Sequence, residues 1–144
     1  MNSAVDADAG VEVTVCQLIA ESLGCEPARV TLAVSLTDDL GADSLDFLDI
    51  VFRLERAFDV QITRGEIEAA ARGDLTEEEF APGGVISERG LARLRTLMPE
   101  AAPRIQPGLY ARQIMTLFTP ATFANIVRRA RDRRATAAAS DAAQ

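Results

Sequence analysis

The sequence contains no histidine, and this absence removes several classes of enzyme from consideration. Histidine is the side chain that most often acts as a general base near neutral pH, activates a catalytic serine or cysteine, and binds metal ions. The sequence therefore excludes most self-contained hydrolases and metalloenzymes that depend on this residue.

Tryptophan is also absent and tyrosine occurs once, so we expect a modest core built mainly from aliphatic side chains. With 144 residues, of which 48% are hydrophobic, the chain is long enough for one domain around such a core. Its two cysteines, Cys16 and Cys25, follow no metal-binding or redox spacing. We assign them no role.

Long apolar runs are missing as well: none approaches the roughly 18 residues that a membrane span needs. The first ten residues lack the basic and apolar regions of a signal peptide. We therefore expect a cytoplasmic protein without a membrane span.

The charges are distributed unevenly, and all 15 basic residues are arginine. Residues 1–79 contain 18 acidic residues and 5 arginines, whereas residues 80–144 contain 4 acidic residues and 10 arginines. An acidic first half disfavours binding to nucleic acid and suits a partner with a basic patch. The arginines after Phe123 fit three interpretations: a solvated helix face, a contact with the acidic half, or a site for anionic partners.

Hydrophobic periodicity predicts helices and gives little sign of strand. A first helix runs from about Val11 to Leu23, and a second from about Ser44 to Phe58. Residues 1–10 and 135–144 are predicted to be disordered. The loop between the first two helices contains several apolar residues, so we expect it to be ordered. Its expected anchors in the core are Val30, Leu32, Leu36 and Leu40.

Capping signals place further helices in the rest of the chain. The pair Thr63 and Glu66 predicts a short third helix that ends near Gly73, and Thr76 with Glu79 repeats the signal. Later helices are predicted to start at Ser87 and at Thr119–Pro120. Together these elements predict a small all-α bundle. The apolar residues of its later half are Leu91, Leu94, Leu97, Met98, Tyr110, Ile114 and Phe118.

The second helix carries two apolar faces. One face is an ordinary core stripe, composed of Phe47, Ile50, Val51, Leu54 and Phe58. The other, which we call the apolar stripe, consists of Leu45, Leu48 and Phe52 and is flanked by Asp43, Asp49 and Glu55. It either lies under later helices of the chain or binds a partner protein.

Ser44 stands where this second helix begins. Asp43 can cap the helix, and the serine hydroxyl projects at the positive end of the helix dipole, among free backbone N–H groups. A phosphate attached to this hydroxyl would be favourably placed. The alternative is that Ser44 is simply a capping residue.

The stretch "DDLGADSLDFLDIVFRLERAFDVQI", residues 38–62, resembles the modification site and second helix of acyl carrier proteins. The resemblance implies an acyl-carrier-like four-helix bundle without enzyme activity of its own. It also implies that Ser44, flanked by Asp43, receives 4′-phosphopantetheine from coenzyme A through a phosphopantetheinyl transferase. By the same resemblance the partner-docking residues are Leu45, Asp46, Leu48, Asp49, Phe52 and Glu55.

The chain is longer than this family pattern. The last family helix corresponds to "FTPATFANIVRRA", so residues 68–117 form an insertion of additional helices within one domain over residues 11–134. We expect the insertion to enlarge or cover an acyl cavity, or to offer a docking surface. The alternative is that it only seals a longer bundle.

The expected function is therefore a specialised, monomeric carrier of acyl thioesters for fatty-acid or lipid-type biosynthesis, served by acyl synthases or acyltransferases. One alternative is a peptidyl, aminoacyl or polyketide carrier of a stand-alone assembly line. Another is an unmodified helical protein that binds basic partners through its acidic half.

Overall fold

The computed structural model describes residues 3–142, without the side chains of residues 3–9, 64–66 and 138–142. The α-helices in this part are α1 (Ser3–Leu23), α2 (Ser44–Phe58), α3 (Arg64–Arg72), α4 (Glu77–Phe80), α5 (Glu88–Leu97) and α6 (Pro120–Ala142). Short 3-10 helices lie at Pro27–Arg29, Pro82–Gly84, Pro99–Arg104 and Ala111–Leu117. Residues 3–142 form no strand, and only an isolated bridge joins Val85 to Tyr110. The predicted all-α fold is confirmed.

The two terminal helices are longer than the sequence suggested. α1 begins at Ser3 and α6 continues to Ala142, so both enter segments predicted to be disordered, which corrects those predictions where the structure describes the chain. Both segments contain several alanines, the residue with the highest helix propensity. Residues 1, 2, 143 and 144 lie outside the described range.

α1, α2 and α6 pack together around three phenylalanine rings. Phe118, just before α6, lies 5.5 Å from Phe123 and 6.2 Å from Phe47 between ring centroids, in edge-to-face arrangements that aromatic pairs prefer. All three side chains are buried. The core is thus aliphatic with an aromatic centre, which the low aromatic content did not indicate.

Side-chain caps define several helix starts as predicted. Thr76 accepts a hydrogen bond from the Glu79 N–H, and the Glu79 carboxylate accepts one from the Thr76 N–H, both at 3.1 Å. Ser87 caps α5, and Thr119 accepts from the Thr122 N–H at 3.2 Å at the start of α6. α3 begins after Thr63 as expected, although the Glu66 side chain of that predicted capping box lies outside the described residues.

The insertion is built into the core. α5 packs against α3 and α4. Leu91 and Leu94 of α5, and Met98 directly after it, are buried in the same apolar cluster as residues of α1, α2 and α6. Gly90 permits this packing, because a Cβ there would lie 2.5 Å from the Phe80 carbonyl oxygen. The insertion therefore stabilises the bundle instead of forming a separate flap.

The loop between α1 and α2 is ordered, as predicted, with one difference. Val30 and Leu36 are buried and Leu40 is partly buried, but Leu32 is 36% exposed. Leu32 is held by its backbone instead, since its carbonyl accepts a hydrogen bond from the Ala121 N–H at 3.1 Å. The expectation that its side chain anchors the loop was wrong.

Within residues 3–142, no helix is both long enough and apolar enough to cross a membrane. In the same range, no cluster of carboxylates and thiols has an arrangement suited to a metal ion, and Cys16 and Cys25 are free thiols. Burial, and after it the Glu12 carboxylate, raise the pKa of the Cys16 thiol. The higher pKa leaves less of this thiol as the reactive thiolate at neutral pH.

Candidate functional site

The loop that leads into α2 is closed by its own hydrogen bonds. The Ser35 N–H donates to Asp39 Oδ2 at 2.8 Å, and Ser35 Oγ accepts from the Asp38 N–H at 3.0 Å. The Ala42 N–H then donates to the Leu36 carbonyl at 2.8 Å. These bonds fix the path of the chain directly before the helix start.

A capping box begins α2. Asp43 Oδ1 accepts from the Asp46 N–H at 2.9 Å, and Asp46 Oδ2 accepts from the Asp43 N–H at 3.0 Å. Gly41 makes the turn before it at φ +71°, a region that residues with a side chain rarely adopt. The capping role predicted for Asp43 is confirmed. Asp46, for which the sequence suggested only docking, completes the cap.

Ser44 is the first residue of α2, directly after the cap, and is exposed. Its hydroxyl makes no hydrogen bond to the described part of the protein. The Asp43 carboxylate accepts its hydrogen bond from the Asp46 N–H. The N–H groups of Ser44 and Leu45, at the positive end of the helix, therefore have no acceptor within the described part of the protein. Ser44 is therefore not the capping residue, and its surroundings favour a negatively charged group.

The other serines near this site are engaged in the fold. Ser22 donates to Asp49 Oδ2 at 2.5 Å, which links α1 to α2. Ser35 is 5% exposed, and its hydroxyl also accepts from Arg104 at 3.2 Å. Ser44 is the serine in this region whose hydroxyl is both exposed and free of protein partners.

The apolar stripe lies open to solvent beside Ser44. Leu45 is 75% exposed, Leu48 58% and Phe52 59%, whereas Phe47 and Ile50 on the inner face are buried. The insertion packs on α3, so it does not cover this face. Of the two alternatives that the sequence left open, coverage of the stripe by later helices of the chain is therefore wrong.

The acidic residues beside the stripe take part in hydrogen bonds within the protein. Asp49 accepts from Ser22 and from Arg53 Nε, the latter at 2.7 Å. The Ser22 hydroxyl, and then Arg53, hold the pKa of Asp49 below its usual value. Glu55 Oε2 accepts from the Ile62 N–H at 2.9 Å and so closes the turn after α2. A carboxylate has about four acceptor positions, so these groups can still receive a donor from outside.

Two arginines of α6 pair with the acidic half of the chain. Arg128 bonds Glu12 of α1 at 2.9 Å, and Arg134 bonds the Asp59 carboxylate at 2.8 Å. Arg131 lies 6.0 Å from the centre of the Phe58 ring. The sequence left three interpretations of the arginines after Phe123 open. For Arg128 and Arg134 the structure shows the second one, contact with the acidic half of the chain.

The sequence did not reveal the link between Ser22 and Asp49. The only signal was the helical spacing that places Ser22 on the same side of α1 as Val15 and Ile19. Asp49 was assigned to docking alone, because the arrangement of α1 against α2 cannot be read from either helix separately.

The fold and this site define a helical domain in which an amphipathic helix presents an exposed serine at its start. Residues 13–72 match the family described as "Phosphopantetheine attachment site". This segment is a phosphopantetheine-binding domain of the acyl carrier family, and such a domain is the place where 4′-phosphopantetheine is attached covalently. The predicted family and cofactor are confirmed. No solved structure matches the chain significantly.

The matched segment ends at residue 72, near the predicted start of the insertion. Domains of this family are carriers without catalysis of their own, and they interact with transferases and synthases. The match over residues 13–72 supports a phosphopantetheine-carrying carrier protein. The exposed hydroxyl and the free N–H groups at the start of α2 fit the phosphodiester of that cofactor.

Proposed function

We propose that Ser44 is the attachment residue and that the chain is a specialised acyl carrier of a single domain over residues 11–134. The observation that carries this proposal is the state of the Ser44 hydroxyl, which is exposed and free of protein hydrogen bonds. The other serines of the matched segment, Ser22 and Ser35, are both engaged. A transferase can therefore reach Ser44 without breaking the fold.

The helix start supports the attached group electrostatically. The phosphodiester would carry one negative charge next to the unbonded N–H groups of Ser44 and Leu45, where the helix dipole favours an anion. The bulk of the group would project into solvent, since Ser44 and Leu45 are both exposed. Its terminal thiol would then hold the acyl cargo as a thioester within reach of partner enzymes.

The apolar stripe is the proposed docking surface. Leu45, Leu48 and Phe52 form an exposed apolar row directly beside the attachment residue, and exposed apolar patches with a polar rim mark sites of protein–protein interaction. The nearby acids, Asp46, Asp49 and Glu55 among them, attract a basic partner surface. We expect a phosphopantetheinyl transferase and an acyl synthase or acyltransferase to bind here, in the cytoplasm, to a monomeric carrier.

The insertion seals the bundle in this proposal. A crevice between α3, α5 and α6 has a volume of about 10 Å³, which is about the space of one water molecule. Leu97 of the insertion and Phe118, directly after it, help to line this crevice. The small volume of this crevice supports the sealing role, and a long acyl chain would enter it only if these side chains moved apart.

The test of attachment is the intact mass after incubation with coenzyme A and a broad-specificity phosphopantetheinyl transferase. We expect the wild-type chain and Ser22→Ala to gain one phosphopantetheine, and Ser44→Ala to gain none. Ser22→Ala is the matched control because it removes a hydroxyl from the same segment. A gain on Ser44→Ala would show that the group is attached to another residue, whereas no gain on a folded wild-type chain would favour an unmodified interaction protein.

The mass of the protein isolated from its own cells identifies the cargo. A fatty acyl group supports the proposed class, whereas an aminoacyl, peptidyl or polyketide group assigns the chain to an assembly line. Chemical shifts of residues 91–118 in the acylated and unacylated forms then show whether the insertion contacts the chain. For a long-chain acyl group the sealing role predicts little change in these shifts, whereas an acyl cavity formed by the insertion predicts clear changes.

A further inference from the structure

An arginine-lined groove lies beside the end of α3, and the carrier function makes no use of it. Arg72, Arg89, Arg93 and Arg129 line it, together with Asp74. The groove has a volume of about 550 Å³, within the range of small-molecule sites. It brings together α3 of the family domain, α5 of the insertion and α6, so it exists only because the insertion packs where it does.

Three of these guanidinium groups have no ionic partner in the part of the chain that the structure describes. Arg89 pairs with Glu79 at 3.0 Å, but Arg72, Arg93 and Arg129 take part in none of the described ion pairs. Asp74 is the one carboxylate among the lining residues named for the groove. The groove therefore carries more positive than negative charge, although the chain as a whole has a net charge of −7.

Arg72 and Arg93 are also incompletely hydrogen-bonded. The Nε atom of each is buried and has no acceptor, and Arg93 Nη2 reaches only the Ala70 carbonyl at 3.3 Å. A buried donor without a partner costs free energy, so such groups normally have one. Gly73 leaves room for this arrangement, because a side chain at position 73 would collide with the Arg93 guanidinium.

We infer that this groove binds a phosphate group of a small phosphorylated molecule. Arginine presents planar, permanently charged donors that match phosphate oxygens in pairs. The lining is mostly polar, with few apolar side chains such as Leu75 and Ala92, which suits a compact anion better than an apolar ligand. The same phosphate chemistry can come from a free metabolite or from an anionic lipid headgroup. The site is independent of Ser44 and of the proposed attachment.

Calorimetric titration of the full chain with inorganic pyrophosphate, in a buffer free of phosphate, tests this inference. We expect one site, with affinity that falls as salt is added. Arg72→Gln and Arg93→Gln should each weaken binding about tenfold, the usual effect of losing a charged hydrogen bond. Arg131→Gln is the matched control, since it removes an exposed charge from α6 outside the groove and should leave binding unchanged.

A second arm separates the two sources of phosphate. Binding of pyrophosphate assigns a phosphate in solution, whereas binding only to vesicles of phosphatidylcholine with phosphatidic acid, and not to phosphatidylcholine alone, assigns a headgroup. Arg129→Gln, at an exposed position, extends the test if Arg93→Gln does not fold. The inference is overturned if a folded wild-type chain binds neither probe, if Arg131→Gln weakens binding as much as Arg72→Gln, or if a triglutamate peptide binds as tightly as pyrophosphate.

Discussion

Arg104 of the insertion reaches across the fold to Asp38, with 3.1 Å between Nη1 and Oδ2. The same guanidinium also donates to the carbonyls of Thr116 and Leu117, at 2.9 and 3.2 Å, and to Ser35 Oγ. One side chain thus joins the loop before Ser44 to the segment before α6. The insertion holds in place the loop that leads to the candidate attachment site.

Arg104→Met should lower the free energy of unfolding by about 1–3 kcal/mol, because it leaves partly buried acceptors without a donor. Asp38→Asn removes only an exposed charge from the same contact, and its expected cost is below about 1 kcal/mol. Urea unfolding followed by circular dichroism measures both values. Equal losses for the two variants would show that the ion pair, and not the carbonyl contacts, carries the stabilisation.

The aromatic centre of the core gives a second prediction. Phe123 is fully buried against Phe47 and Phe118, so Phe123→Ala should cost about 3–5 kcal/mol through lost contacts and the cavity left behind. Phe52→Ala makes the same chemical change at an exposed position, and its expected effect is within about 0.5 kcal/mol. Thermal and urea unfolding of the pair provide the check. A large loss for Phe52→Ala would mean that the stripe is packed in solution.

The apolar stripe should control partner binding without affecting stability. Leu48→Ala and Phe52→Ala are expected to lower kcat/KM of the phosphopantetheinyl transferase by about tenfold each, as hot-spot side chains do. Val13→Ala is the control, since Val13 is 57% exposed on α1 and lies outside the stripe. An unchanged kcat/KM for both stripe variants would remove this surface from the transferase interface.

Protonation of Asp49 should weaken the contact between α1 and α2. Its pKa is lowered in the folded chain by Ser22 and Arg53, so its contribution is complete above the unfolded value of about 3.9 and is lost as the pH falls through the folded value. Ser22→Ala should raise the titration midpoint of the Asp49 carboxyl towards its unfolded value. It should also make the free energy of unfolding depend less on pH between the folded and unfolded pKa of Asp49. Carboxyl carbon shifts in an NMR titration report the midpoint. Identical midpoints in the two proteins would contradict the assigned cause.

Local patterns in the sequence were sufficient to predict α2 and the residue at which it starts. The two apolar faces follow from a period of 3.6 residues, and the Asp43 cap follows from side-chain chemistry within one turn. The same kind of signal found the caps at Thr76 and Ser87. These features depend on neighbours a few residues away, so they can be read from the sequence without a fold.

Long-range contacts could not be predicted in this way. Arg104 and Asp38 are 66 residues apart, and nothing in either local pattern indicates that they meet. The exposure of the apolar stripe likewise depended on where the insertion packs, which periodicity within α2 does not determine. The helical ends at Ser3 and Ala142 were missed because chain termini are often poorly ordered, whereas the alanines in these segments favour helix.

The exposed row of Leu45, Leu48 and Phe52 also has a consequence for handling the protein in the laboratory. Patches of this kind promote contact between identical molecules, and at pH 7 the net charge of −7 opposes it by mutual repulsion. As the carboxylates are protonated towards acidic pH, this repulsion disappears while the apolar surface remains. Concentrated samples should therefore stay dispersed near neutral pH at low salt and precipitate reversibly on acidification.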